Sequence, residues 1–122
     1  MAMEIANKLS KEKSAKYSFS SAGLAVIGHD IDENVHTVLE EIGIVTNHTP
    51  TSIMDLDLNK FDAIHVMTQR QKITVKSLFK NIPNIEEKIT VLGIENPYYL
   101  GLDAYRDCRD KLVEFYKNYI NG

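Results

Sequence analysis

Four kinds of side chain in this sequence could carry chemistry: one cysteine, four histidines, a pair of tyrosines after Asn96-Pro97, and scattered serines. Cys108 is the only possible thiolate nucleophile. It falls within Tyr105, Cys108, Leu112, Phe115 and Tyr119, which recur every three or four residues and form one apolar stripe of a helix. Mid-helix burial raises a thiol pKa rather than lowering it, so the pattern assigns Cys108 to packing. His29, His36, His48 and His65 share no ligand spacing with thiols or carboxylates, and no metal site is expected. His65 alternates inside an apolar run and reads as a hydrogen-bonded core histidine. His48 lies in a polar turn beside Thr49 and Pro50 and is the better functional candidate. Asn96-Pro97-Tyr98-Tyr99 places two rings beyond a predicted strand, where they could line a crevice and stack on a flat ligand, or pack as an aromatic turn. The six glycines are scattered and form no nucleotide-binding loop, so the sequence calls for no cofactor.

The elements that must position these groups follow from periodicity. Ala2, Ile5, Ala6 and Leu9 predict an amphipathic helix from Ala2 to about Lys13. Tyr17 to Ser21 has the aromatic and hydroxyl composition of a strand, broken by Ser20-Ser21-Ala22-Gly23. Asp32 can cap a helix carrying Val35, Val38, Leu39 and Ile42 on one face, which Gly43 would stop. Met54 to Lys60 predicts one or two helical turns. Ala63-Ile64-His65-Val66-Met67 reads as a buried, central parallel strand. Thr68-Gln69-Arg70-Gln71 has the form of a capping box, opening a helix through Ile73, Leu78 and Phe79 that Asn81 and Pro83 end. Ile89 to Leu92 predicts the last strand, followed by the loop Gly93 to Gly101 and the long final helix. Alternating strands and helices imply an α/β layered sheet with right-handed crossovers.

Composition narrows the classes. A chain of 122 residues, 43% apolar and 25% charged, is expected to form one domain spanning 1–122. A net charge of −3 disfavours nucleic acid. No apolar run approaches the roughly 20 residues that span a bilayer, so no membrane anchor is expected. A single cysteine excludes an internal disulfide and fits a reducing cytoplasm.

In order along the chain, the segments resemble the low-molecular-weight protein tyrosine phosphatases and their arginine-phosphatase and arsenate-reductase relatives. Met1 through Leu9 is similar to the helix that follows that family's phosphate loop. Ser20-Ser21-Ala22-Gly23 matches its Ser-Ala-Gly, and Gly43-Ile44 through Asn47-His48 its Gly-Ile-x-x-x-His turn. Phe61 through Thr68 resembles its Asp-x-Ile/Val-x-x-Met strand, and Asn96-Pro97-Tyr98-Tyr99 its Asp-Pro-Tyr-Tyr loop. The resemblance implies phosphomonoester hydrolysis through a phosphocysteine, with a Cys-x5-Arg loop holding the phosphoryl group and an Asp protonating the leaving oxygen. It implies a phosphorylated protein or phosphate monoester as partner and needs no metal or organic cofactor.

Two departures matter. No Cys-x5-Arg occurs, because Cys108 is followed six positions later by Glu114, so the nucleophile is absent. Asn96 stands at the general-acid position, where an amide has no titrating proton to give; the adjacent Glu95 is the alternative acid, although a neighbouring position on an extended loop points elsewhere. Ser21 and His48 match residues that brace the phosphate loop, and Tyr98 and Tyr99 match rings that frame its pocket. The expected fold is a three-layer parallel sheet of the low-molecular-weight phosphatase type, ordered 2-1-3-4 in the family, without its first inner strand. The chain therefore reads as an N-terminally truncated member, catalytically inactive as written. The sheet is expected to rearrange, exchange segments with a second copy, or pair across a homodimer. The other reading is a natural pseudophosphatase acting as a protein-binding module. Arsenate reduction would need further cysteines to relay a disulfide.

Overall fold

The computed structural model describes residues 1–13, 17–21, 33–45, 52–95, 97 and 100–121. Its elements in chain order are α1 (Ala2–Glu12), α2 (Glu33–Glu40), β1 (Ile64–Val66), α3 (Gln69–Leu78), α4 (Ile85–Lys88), β2 (Ile89–Val91) and α5 (Leu102–Asn121). Two 3₁₀ turns, Ile53–Asp55 and Leu58–Lys60, occupy the segment expected to form helical turns. α4 has no counterpart in the sequence reading.

Local chemistry sets the helix ends. Gly43 adopts φ +81°, which lets the Ile44 amide donate to Leu39 at 2.9 Å and the Gly43 amide to Glu40 at 3.0 Å. These two bonds close α2 in a left-handed cap. The capping box of α3 forms as its residues predict: the Gln71 amide donates to Thr68 Oγ1 at 3.3 Å, while Gln71 Oε1 accepts from the Thr68 amide at 3.3 Å. The same oxygen also accepts from the Met67 amide at 2.7 Å.

β1 and β2 pair in parallel with Ile64 opposite Ile89, His65 opposite Thr90 and Val66 opposite Val91. Period-two alternation then divides the core. Ile64, Val66, Ile89 and Val91 face one layer with Ile53, Leu58, Val75 and Ile85. Met67 and Leu92 face the other, where Ile5, Ala6, Leu39, Cys108, Leu112 and Tyr116 pack. α1 and α2 both lie on α5, whereas α3 lies on both strands and α4 on β2, so a thin sheet sits between two helical layers.

Tyr17 to Ser21, expected as a strand, forms none and joins no ladder. Instead, Asn7 of α1 grips Phe19: its Nδ2 donates to the Phe19 carbonyl and its Oδ1 accepts from the Phe19 amide, both at 3.0 Å. Ser10 Oγ adds a bond to the Tyr17 carbonyl at 3.2 Å. On α3, Ile73 and Leu78 face out, 61% and 47% exposed, and Val75 is buried. The capping box turns Gln71 inward, so residues one turn apart from it, Val75 and Phe79, share the inner face.

β1 was expected to be central, yet among the described residues only β2 pairs with it. The cap of α2 at Asp32 lies outside the described residues.

Candidate phosphatase-like site and the slot beside β1

A cavity of about 890 Å³ separates the Tyr17 to Ser21 segment from β1. One wall is Tyr17 through Ser21, and the other runs from Lys60 through Met67. The floor is the inner face of α5, and residues such as Ile53, Leu56 and Val75 form the roof. Both halves of the core thus border the same space. Interiors normally leave few voids larger than a water molecule. A dry void costs about 24 cal/mol per Å³, so this one would cost about 20 kcal/mol, more than the roughly 5–15 kcal/mol that holds a domain together. The space is therefore a slot open to solvent, not a sealed cavity.

The floor is aromatic. The His65 Nδ1 and the Tyr116 hydroxyl share a hydrogen bond of 2.9 Å. The His65 ring meets Tyr119 edge-on with centroids 5.0 Å apart and Phe115 at 5.7 Å. Phe19 meets Tyr116 at 5.5 Å and Tyr17 meets Tyr119 at 5.5 Å, so the rings of α5 join both walls. Burial pushes the Tyr116 phenol up to about 12 and holds the His65 imidazole below its usual value. His65 is hydrogen-bonded as its alternation predicted, but it is half-buried at the slot and not part of the closed core.

Cys108 is 3% exposed on the same floor. Burial raises its thiol pKa, against a smaller opposite influence of the Met1 ammonium. A group disfavoured as thiolate and enclosed by α5 packing is a poor nucleophile. Among the described residues no three His, Cys, Asp or Glu side chains gather where a metal could bind.

Of the expected site residues, Ser21 is half-buried and lines the slot, and Pro97 of the Asn-Pro-Tyr-Tyr loop is buried against it. The structure brings these two segments to one opening. His48, Asn96, Tyr98 and Tyr99 lie outside the described residues, and Glu95 is exposed. Sequence reasoning missed Asn7 and Tyr116. Tyr116 continues Tyr105, Cys108 and Leu112 at helical spacing, and that signal was available.

Residues 1–121 match the family described as low molecular weight phosphotyrosine protein phosphatase, and the chain belongs to that family. A phosphatase of this description from Schizosaccharomyces pombe is 27% identical over 111 aligned positions, 79% of this chain and 67% of that protein. Solved structures share the fold. A YwlE mutant from Bacillus subtilis superimposes with a TM-score of 0.89 at 19% identity, covering 98% of this chain and 86% of its own. A low molecular weight phosphotyrosine phosphatase from Vibrio cholerae O395 gives 0.88 at 13% identity, covering 98% and 84%. The arginine phosphatase YwlE from Geobacillus stearothermophilus gives 0.82 at 20% identity, covering 98% and 83%.

Proposed function

We propose that these 122 residues are a low-molecular-weight phosphatase scaffold that, as this chain, does not hydrolyse phosphate monoesters. The family reaction transfers a phosphoryl group to a thiolate and then to water, with an acid protonating the departing oxygen. The observation that carries the proposal is Cys108: the sole thiol is enclosed mid-helix, with burial raising its pKa. Asn96 at the general-acid position supports the same reading, since its amide can orient an oxygen but not protonate it. Ser21 and His48, at loop-bracing positions, and Tyr98 and Tyr99, at pocket-framing positions, would then surround an opening without its reacting group. Phosphorylated protein, at tyrosine or arginine, is the substrate class that the relatives' names supply.

Asn96 also favours a second reading, a pseudophosphatase that binds a protein partner through the Tyr98 and Tyr99 loop without turnover. Hydrolysis of an aryl phosphate and of a phosphoarginine peptide by the purified 122-residue chain tests the proposal. Rates at buffer level support it. Saturable turnover that inorganic phosphate competes away would refute it.

A further inference from the structure

Acid and base are segregated along this chain. From Ala63 to Ile85 there are four basic residues, Arg70, Lys72, Lys76 and Lys80, and no acidic one, although the net charge of the chain is −3. α3 carries these charges on its outward side. Val75, 1% exposed, fixes the inward side, and at about 100° per residue Arg70, Ile73 and Ser77 fall opposite it, with Lys76 at the margin. Arg70, Ile73 and Ser77 are exposed, as is Lys80 just past the helix end.

The helix itself does not call for this pattern. Arg70 stands in the first turn of α3, where the macrodipole favours acidic side chains, and that turn has none. Pairing within the chain accounts for only part of the charge. Lys72 and Lys76 share Glu86 of α4, lying 4.0 and 3.2 Å from its Oε1. Among the described residues no carboxylate forms an ion pair with Arg70 or Lys80. The face thus already holds one carboxylate and offers cations to others.

A short acidic segment suits such a face better than an extended polyanion. Screening confines charge effects to about 8–10 Å at physiological salt, so a segment laid on α3 meets its bases alone. An anionic membrane or a nucleic-acid duplex would also meet the negative remainder of the chain. Membrane insertion further needs a broad apolar face, whereas Ile73, 61% exposed, stands alone here, because Leu78 projects about 140° away around the helix. From Arg70 to Lys80 is about 15 Å at a rise of about 1.5 Å per residue, a length that about five extended residues cover at about 3.3 Å each. Ile73 lies between these two cations.

We infer that the outward side of α3 is a docking surface for a short acidic segment of another protein, with carboxylates for Arg70 and Lys80 on either side of an apolar side chain that covers Ile73. The inference goes beyond the catalytic reading and stands whether or not the chain turns over phosphate.

The test uses the full chain and a fluorescently labelled peptide, Glu-Glu-Ile-Glu-Glu, with binding followed by anisotropy and each variant's folding checked by its urea midpoint. Saturable binding is expected, at least about tenfold weaker when glutamines replace the peptide's glutamates. Arg70→Glu combined with Lys80→Glu should weaken binding at least about tenfold, and Ile73→Ser about threefold. Lys11→Glu combined with Lys117→Glu makes the same change of net charge at exposed lysines of α1 and α5 and should leave the affinity within about twofold. No saturable binding by the parent, equal weakening by the two charge-reversed pairs, or parent-like binding by Ile73→Ser would overturn the inference. Tighter binding through Arg70 and Lys80 to phosphatidylserine vesicles or to a DNA duplex than to the peptide would assign the face to a lipid surface or to nucleic acid. Self-association that is lost in the Arg70 and Lys80 variant would assign it to a second copy, and each of these results overturns the inference as well.

Discussion

Asn7 of α1 holds both backbone groups of Phe19, twelve residues away, through the two ends of one side-chain amide. It does for Phe19 what a neighbouring strand residue would do in a sheet, and it is the main polar tie between α1 and the wall of the slot. Asn7→Ala removes two hydrogen bonds and leaves the Phe19 amide and carbonyl to find water. The expected loss is about 2 kcal/mol, since each such bond contributes about 1 kcal/mol. Urea unfolding measures it, and a midpoint equal to the parent's would show that the grip is dispensable.

The His65–Tyr116 pair predicts opposite pH limits. Burial lowers the His65 pKa in the fold, so the unfolded chain binds the proton more tightly and the contribution present above the ordinary value of 6.5 is lost as pH falls through the folded value. Unfolding at pH 7.5 and 5.5 should show this acid-side loss, and His65→Gln should shrink it. Tyr116, with a folded pKa of about 12 against 10 unfolded, contributes stability below pH 10 that is lost as pH rises toward 12. Ultraviolet titration should find one phenol ionising late, and Tyr116→Phe should abolish that phase.

Cys108 should resist thiol reagents in the folded chain, because it is buried and its thiolate is disfavoured. Modification is expected to run at least about a hundredfold slower than in denaturant, limited by opening of the α5 packing. Rapid modification under native conditions would place the thiol in solvent.

Thr68→Ala deletes the side-chain half of the α3 capping box and should cost about 1 kcal/mol. Gln71→Ala should cost more, since Gln71 Oε1 serves the Met67 amide as well as that of Thr68. The order of the two variants in a denaturation series checks this.

Elements whose determinants are local were legible in the sequence. Gly43 and the Thr68 to Gln71 box mark helix ends within a few residues, and the apolar runs at Ile64 and Ile89 mark strands whatever surrounds them. Where the determinant is distant, the sequence was silent. Tyr17 to Ser21 has strand composition, but its partner is the side chain of Asn7, and no periodicity records such a pairing. The sequence marked α3 through its capping box and apolar residues but not its phase, which depends on where Gln71 points and makes Val75, not Ile73 or Leu78, the inward residue. At the candidate site, Ser21 and Pro97 both line the slot, whereas His48, Asn96, Tyr98 and Tyr99 lie outside the described residues. The slot itself arises from the relation of two segments more than forty residues apart, which neither segment encodes alone.

The central claim is that this chain forms no phosphocysteine. Acid quenching of the protein after brief exposure to excess aryl phosphate, followed by intact mass measurement, tests it without depending on turnover rate. The account predicts the unmodified mass alone, for the parent chain and for Cys108→Ala alike. A phosphorylated species in the parent that disappears in Cys108→Ala would contradict it.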